Sequence, residues 1–162
     1  MRIWGAAVFV DHVSDYTHVV LMRDLTLDET LLTKTSLERL SNDRGVAIKS
    51  YRADNGRFAY KGFHDAVQDS NQTITFCAVG GHHQNVIVER NIKELTLIAR
   101  TLLLHAIRHW PEYITTMMWL FDLKEAAFRL NKFSIWTDGR SNEATFFGID
   151  DNIIEPEMFH TS

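Results

Sequence analysis

A stripe of apolar residues runs through the middle of this chain. Val88, Ile92, Leu95, Ala99, Leu102 and Ala106 recur every three or four positions. That spacing gathers them on one helical face and predicts a long helix over residues 85–109. Upstream, GAAVFV is a continuous apolar run ending at Asp11, the pattern of a strand buried on both faces. HVVLM follows after a short polar link and predicts a hairpin with it.

The remaining segments alternate between the two periods. Thr26 to Glu29 has capping-box spacing and opens a helix on which Leu27, Leu31 and Leu40 share part of a face. That helix should stop near NDRG, with Gly45 just past its end. VAIKSYR reads as a strand leading to Asp54, GFHDAVQ as a short helix and TITFCAV as another strand. Trp110 and Pro111 break the long helix and start a second one, expected to reach about Asn131. The last thirty or so residues read as an irregular acidic tail. This order predicts an α/β domain with a mixed sheet, with a core over 1–110 and a helical extension and tail over 111–162.

Composition sets bounds on function. At 162 residues, 45% hydrophobic and 23% charged, the chain has one domain's worth of length and can bury a core without disulfides. Cys77 is the single cysteine, which excludes a disulfide framework and fits a reducing interior. A net charge of −4 argues against a dedicated nucleic-acid binder, although a local basic strip can hide in that average. LIARTLLLHAIRHW contains two arginines and falls short of a membrane span, and GAAVFVDH is too short for a signal peptide.

Three acids stand out by position. Asp11 ends the first strand, Asp54 ends a later strand, and Glu89 lies in the first turns of the long helix. Strand ends and helix starts gather on one edge of an α/β sheet, where ligands commonly sit. Converging carboxylates repel unless a cation separates them, and an all-oxygen set suits Mg²⁺ or Mn²⁺. For Asp54 a plainer reading stands beside this one, because Asp-Asn-Gly is also ordinary turn chemistry.

VFVDHVSDY, YRADNGRF and HHQNVIVERNIKEL together resemble the catalytic core of Copia-type retrotransposon integrases. There an Asp-Asp-Glu triad occupies three such contexts, and the 34 residues between Asp54 and Glu89 are close to the spacing usual in that family. HWPEYITTMMWLFDLKEAAFRLN is similar to the helical segment that follows the core. The resemblance implies an RNase H-like fold, with a mixed central sheet flanked by helices and an extra C-terminal helix. It implies a polynucleotidyl transferase that inserts element DNA into target DNA by two-metal phosphoryl transfer. Asp11, Asp54 and Glu89 are then the catalytic acids and the ligands of Mg²⁺ or Mn²⁺, with two ions when DNA is bound. Lys93, Asn85 and Arg90 are the DNA-facing or site-supporting residues. The implied partners are element-end DNA, target DNA and further copies of the chain. The chain would be a piece of a longer polyprotein, acting in the nucleus after a cytoplasmic particle stage. The alternative is a decayed element fragment that keeps the fold as a DNA-binding or oligomerisation module.

The other signals have plainer readings as well. Lys93 is four residues beyond Glu89, which also suits an ordinary helical ion pair. Arg100 extends a possible basic strip. His105 and His109 have the i,i+4 spacing seen in zinc sites, but no His or Cys partners stand at zinc-finger separations, so they and His82 and His83 read as solvated or DNA-facing. Trp119 to Phe121, with Met117 and Met118, reads as packing between helices. Val86 stands where the family carries glycine, and Val88 where it carries a small residue. Both are stiff and bulky at the mouth of the expected DNA approach.

Overall fold

The computed structural model describes residues 3–54, 56–77 and 86–149. Strand β1 (Gly5–Val10) pairs antiparallel with β2 (Thr17–Met22), in a register that sets Ala7 opposite Val20 and Phe9 opposite His18. Helix α1 (Leu27–Asp43) follows, then β3 (Ser50–Ala53), a 3-10 turn (Arg57–Ala59) and α2 (Lys61–Asp69). Strand β4 (Thr73–Phe76) lies parallel to β3. The long helix α3 (Val86–His109), a second 3-10 turn (Thr116–Met118), α4 (Trp119–Phe133) and α5 (Asn142–Phe147) complete the order.

The sheet is where expectation and structure part. The described strands form two separate two-stranded sheets, β1–β2 and β3–β4, and not one mixed central sheet. β1 and β3 each have a single strand partner among the described residues. Side chains join the two units: Phe9 meets Tyr51 and Phe58 edge-on, at ring-centroid distances of 6.4 and 6.1 Å. Phe63, 1% exposed, closes this aromatic cluster against Tyr51 and Phe58.

The main core lies elsewhere. Val19 of β2, Leu95 and Ala99 of α3, and Ala126, Ala127 and Leu130 of α4 form one buried cluster. Three alanines at the α3–α4 contact let the helix backbones approach closely and bring α4 onto β2. The buried line on α3 is Asn91, Leu95 and Ala99, rotated from the expected stripe, because α4 and β2 cover that side; Ile92 is left exposed.

Helix α1 starts at Thr26, whose hydroxyl accepts the Glu29 N–H. The reciprocal half of the expected capping box goes one turn further back, with Glu29 Oε1 accepting the Arg23 N–H at 2.8 Å. The helix ends where expected, and Gly45 takes the left-handed conformation at φ 81° that any side chain would strain. Its buried face is Thr30, Thr33, Lys34, Leu37 and Ser41, so the expected leucine face is only half-buried.

Two more boundaries move. Pro111 sits in a turn, and the second helix begins at Trp119, because the turn and the 3-10 segment take up the intervening residues. The expected irregular tail contains α5, capped by the Ser141 hydroxyl and stopped by Gly148 at φ 64°. Phe147 of α5 is buried, and Tyr16 stacks on Phe146 at 4.5 Å. Met117, Met118 and Phe121 are exposed, contrary to the interhelical packing expected of them, while Trp119 does pack against the core. Among the described residues no helix is long and apolar enough to cross a membrane.

Candidate active site

Asp54 owes its place to β3, and β3 is held by α1. Glu38 of α1 accepts the Tyr51 hydroxyl at 2.7 Å and the Gln72 side-chain amide at 2.6 Å, and pairs with the nearly buried Lys34 at 2.9 Å. Burial alone would raise the Glu38 pKa; the hydrogen bonds from Lys34, Tyr51 and Gln72 more than offset it and hold it below the ordinary value. The Tyr51 phenol is driven up by burial and by Glu38, so this network is an ionised carboxylate with a neutral phenol at neutral pH.

Beyond β3 the chain turns, and the exposed Asp54 carboxylate accepts the Gly56 N–H at 3.2 Å. A β-carbon at position 56 would stand 3.1 Å from Asp54 Oδ1, so glycine leaves room for the carboxylate in this turn. Turn chemistry and an available carboxylate therefore coexist at Asp54.

Glu89 lies in the first turn of α3 with an exposed side chain. Its neighbour Arg90 forms an ion pair with Asp15 in the β1–β2 turn. Lys93 is exposed, and no ion pair joins it to Glu89 among the described residues. Asn85, His82 and His83 lie outside the described residues. The rings of His105 and His109 lie 4.2 Å apart, tilted by 33°, with His109 Nδ1 2.8 Å from the His105 carbonyl oxygen.

Asp11 follows β1 as expected and also shapes the turn after it. Its Oδ2 accepts the N–H groups of Val13 and Ser14, at 3.2 and 2.9 Å, and the Ser14 hydroxyl at 2.8 Å. That is the bonding of a carboxylate organising its own turn. The expected three-acid convergence is not found: among the described residues no group of three or more His, Cys, Asp or Glu side chains could hold a metal ion. Asp11, Asp54 and Glu89 all carry hard oxygen donors of the type Mg²⁺ or Mn²⁺ takes; at Asp11 the turn engages Oδ2, as the turn at Asp54 engages Oδ1.

Sequence reasoning missed a second set of polar residues. Thr17, Asn91 and Asn131 are all buried, and Thr17 of β2 bonds to Asn91 of α3 and to Asn131 of α4. The signal was present in the sequence, since Asn91 stands one turn before Leu95 on a face that the core would otherwise fill with apolar groups.

No protein-family model matches the chain, and no curated protein matches it. Solved structures do. The HTLV-2 integrase catalytic core domain in complex with magnesium, in a trimeric form, superposes with a TM-score of 0.60 at 19% identity, over 85% of this chain and 81% of that one. The catalytic core domain of BIV integrase gives 0.63 at 18% identity, over 87% and 84%. A chain of the simian T-cell lymphotropic virus intasome gives 0.63 at 19% identity, over 92% of this chain and 49% of that longer one. The described elements, two small sheets enclosed by helices with Asp54 after a strand and Glu89 at a helix start, therefore have the fold of retroviral integrase catalytic cores.

Proposed function

We propose that this chain is an integrase-type core acting on DNA, a polynucleotidyl transferase of the Copia kind in which Asp11, Asp54 and Glu89 are the metal-binding acids. The observation that carries this reading is the coincidence of the integrase-core fold with exposed carboxylates at two of the three positions the sequence motifs mark, Asp54 and Glu89. Mg²⁺ or Mn²⁺ would supply Lewis acidity at a phosphodiester. Asp54 contributes a carboxylate on a glycine-relieved turn, and Glu89 one projected from a helix start. Lys93, exposed one turn beyond Glu89, is placed to meet a phosphate oxygen, whereas Arg90 supports the site through Asp15. The partners of this reading are element-end and target DNA and further copies of the chain, in a nuclear setting.

The deciding experiment is titration of the chain with Mn²⁺ by calorimetry, alone and with a pre-processed element end. Saturable heat lost in Asp54→Asn and Glu89→Gln supports the reading, and its absence in the wild-type chain with DNA present refutes it. A second reading is a fold retained as a DNA-binding or oligomerisation module without catalysis; among the described residues no three-acid cluster stands against it. It predicts DNA binding or self-association with no metal-dependent heat.

A further inference from the structure

We infer that the β1–β2 turn, organised by Asp11, is a clasp that fixes the first turns of α3 and so sets the position of Glu89. Thr17 and Asn131 are then positioning residues, and Asp11 shapes the turn that carries Asp15. The role of Glu89 rests on the function proposed above; the clasp itself does not.

The turn is built from Asp11 outward. With Oδ2 accepting from Val13 and Ser14, the chain folds back sharply enough for the Asp15 N–H to reach the Asp11 carbonyl oxygen at 3.0 Å. Ser14, 1% exposed, passes the constraint on by accepting the Tyr16 N–H. Asp15 is thereby held at φ 55°, a left-handed conformation that Asp tolerates better than most residues.

This geometry delivers two contacts to consecutive residues of α3. The Asp15 carboxylate pairs with Arg90, and the Thr17 hydroxyl, 3.0 Å from the Asp15 carbonyl oxygen, also lies 3.3 Å from Asn91 Oδ1. Asn91 is 3% exposed and donates to the Ile87 carbonyl oxygen at 3.0 Å, which locks its own side chain against the helix start. Contacts at adjacent helical positions, about 100° apart around the axis, restrain both the rotation and the advance of the helix. Glu89 immediately precedes them. Its side chain is exposed, so its direction follows the backbone that the clasp holds. From the other side, Asn131 of α4 binds both backbone groups of Thr17.

The test pairs hydrogen exchange of the α3 amides with Mn²⁺ calorimetry on the same variants. Thr17→Val keeps shape and strand propensity but removes the hydroxyl; the expected result is exchange about five- to tenfold faster over residues 91–95 and Mn²⁺ binding weakened by a similar factor. Thr145→Val, which removes a hydroxyl bonded only within its own helical turn, should change neither. Asp54→Asn should lose Mn²⁺ with exchange unchanged. Unaltered exchange in Thr17→Val overturns the clasp. Faster exchange in Thr17→Val, in a chain that binds no Mn²⁺ even as wild type, leaves the clasp standing and removes the proposed function.

Discussion

Asn131 grips Thr17 with both ends of its amide: Oδ1 accepts the Thr17 N–H and Nδ2 donates to the Thr17 carbonyl oxygen, each at 2.8 Å. The side chain thus does for β2 what another strand would do, satisfying two backbone groups that β1 does not reach. Both residues are buried, so water cannot replace the amide if it is removed. Asn131→Leu should therefore lower stability by about 2–4 kcal/mol, the cost of leaving two buried backbone groups unpaired. Urea unfolding with an unchanged m-value would check it.

Asp54→Asn should leave the fold in place, because an amide oxygen still accepts the Gly56 N–H. Mn²⁺ affinity should fall by about tenfold or more, since the charge that binds the cation is gone, a difference of about 1.4 kcal/mol per factor of ten. Calorimetry beside a thermal melt separates the two effects. A melt shifted strongly downward would make Asp54 a structural turn residue.

Glu143 carries an acid-stability signature. Burial alone would raise its pKa, but hydrogen bonds from Lys132 and Arg44, and their charges, bring it below the ordinary value. A depressed folded pKa means the unfolded chain binds the proton more readily, so the contribution is complete above the ordinary glutamate pKa and is lost as pH falls through the folded one. Melts of the wild type should drop steeply below about pH 4.5. Glu143→Gln should lower the melting temperature at pH 7 and shallow that acid limb.

His18 acts at milder pH. Burial first, and then the nearby Lys124 charge, lower its pKa, and its Nε2 is among the described buried atoms with no hydrogen-bond partner. The folded chain therefore disfavours the imidazolium, and stability should decline as pH falls below about 6.5, with a slope of at most about 1.4 kcal/mol per pH unit. His18→Leu should remove that slope and hold or raise the melting temperature at pH 6. Melts between pH 7.5 and 5.5 would show it.

Val86 opens α3 with a side chain 51% exposed. Val86→Gly at a helix terminus should cost under about 1 kcal/mol, the figure for a helix interior. It should also raise strand-transfer activity on a pre-processed DNA end in Mn²⁺, because the stiff β-branched side chain no longer limits the backbone there. Equal activity of the two forms would show that valine is tolerated at this position.

What the sequence determined by itself is the set of elements written in local terms, as far as α3; the late start of α4 and the existence of α5 were not among them. The hairpin of β1 and β2, the capped start of α1 and its stop at Gly45, the short α2, and the span of α3 all follow from periodicity, caps and a glycine that the chain itself supplies. Asp54 at a strand end and Glu89 at a helix start were legible for the same reason. Tertiary structure alone decided which faces are buried and what each acid bonds. Leu95 and Ala99 are inside and Ile92 is outside because α4 and β2 approach from one side, a choice the spacing of apolar residues leaves open. Asp11 looked equivalent to Asp54, since each follows a strand. Only the fold of the next four residues, which turns the N–H groups of Val13 and Ser14 onto its carboxylate, makes it the organiser of a turn.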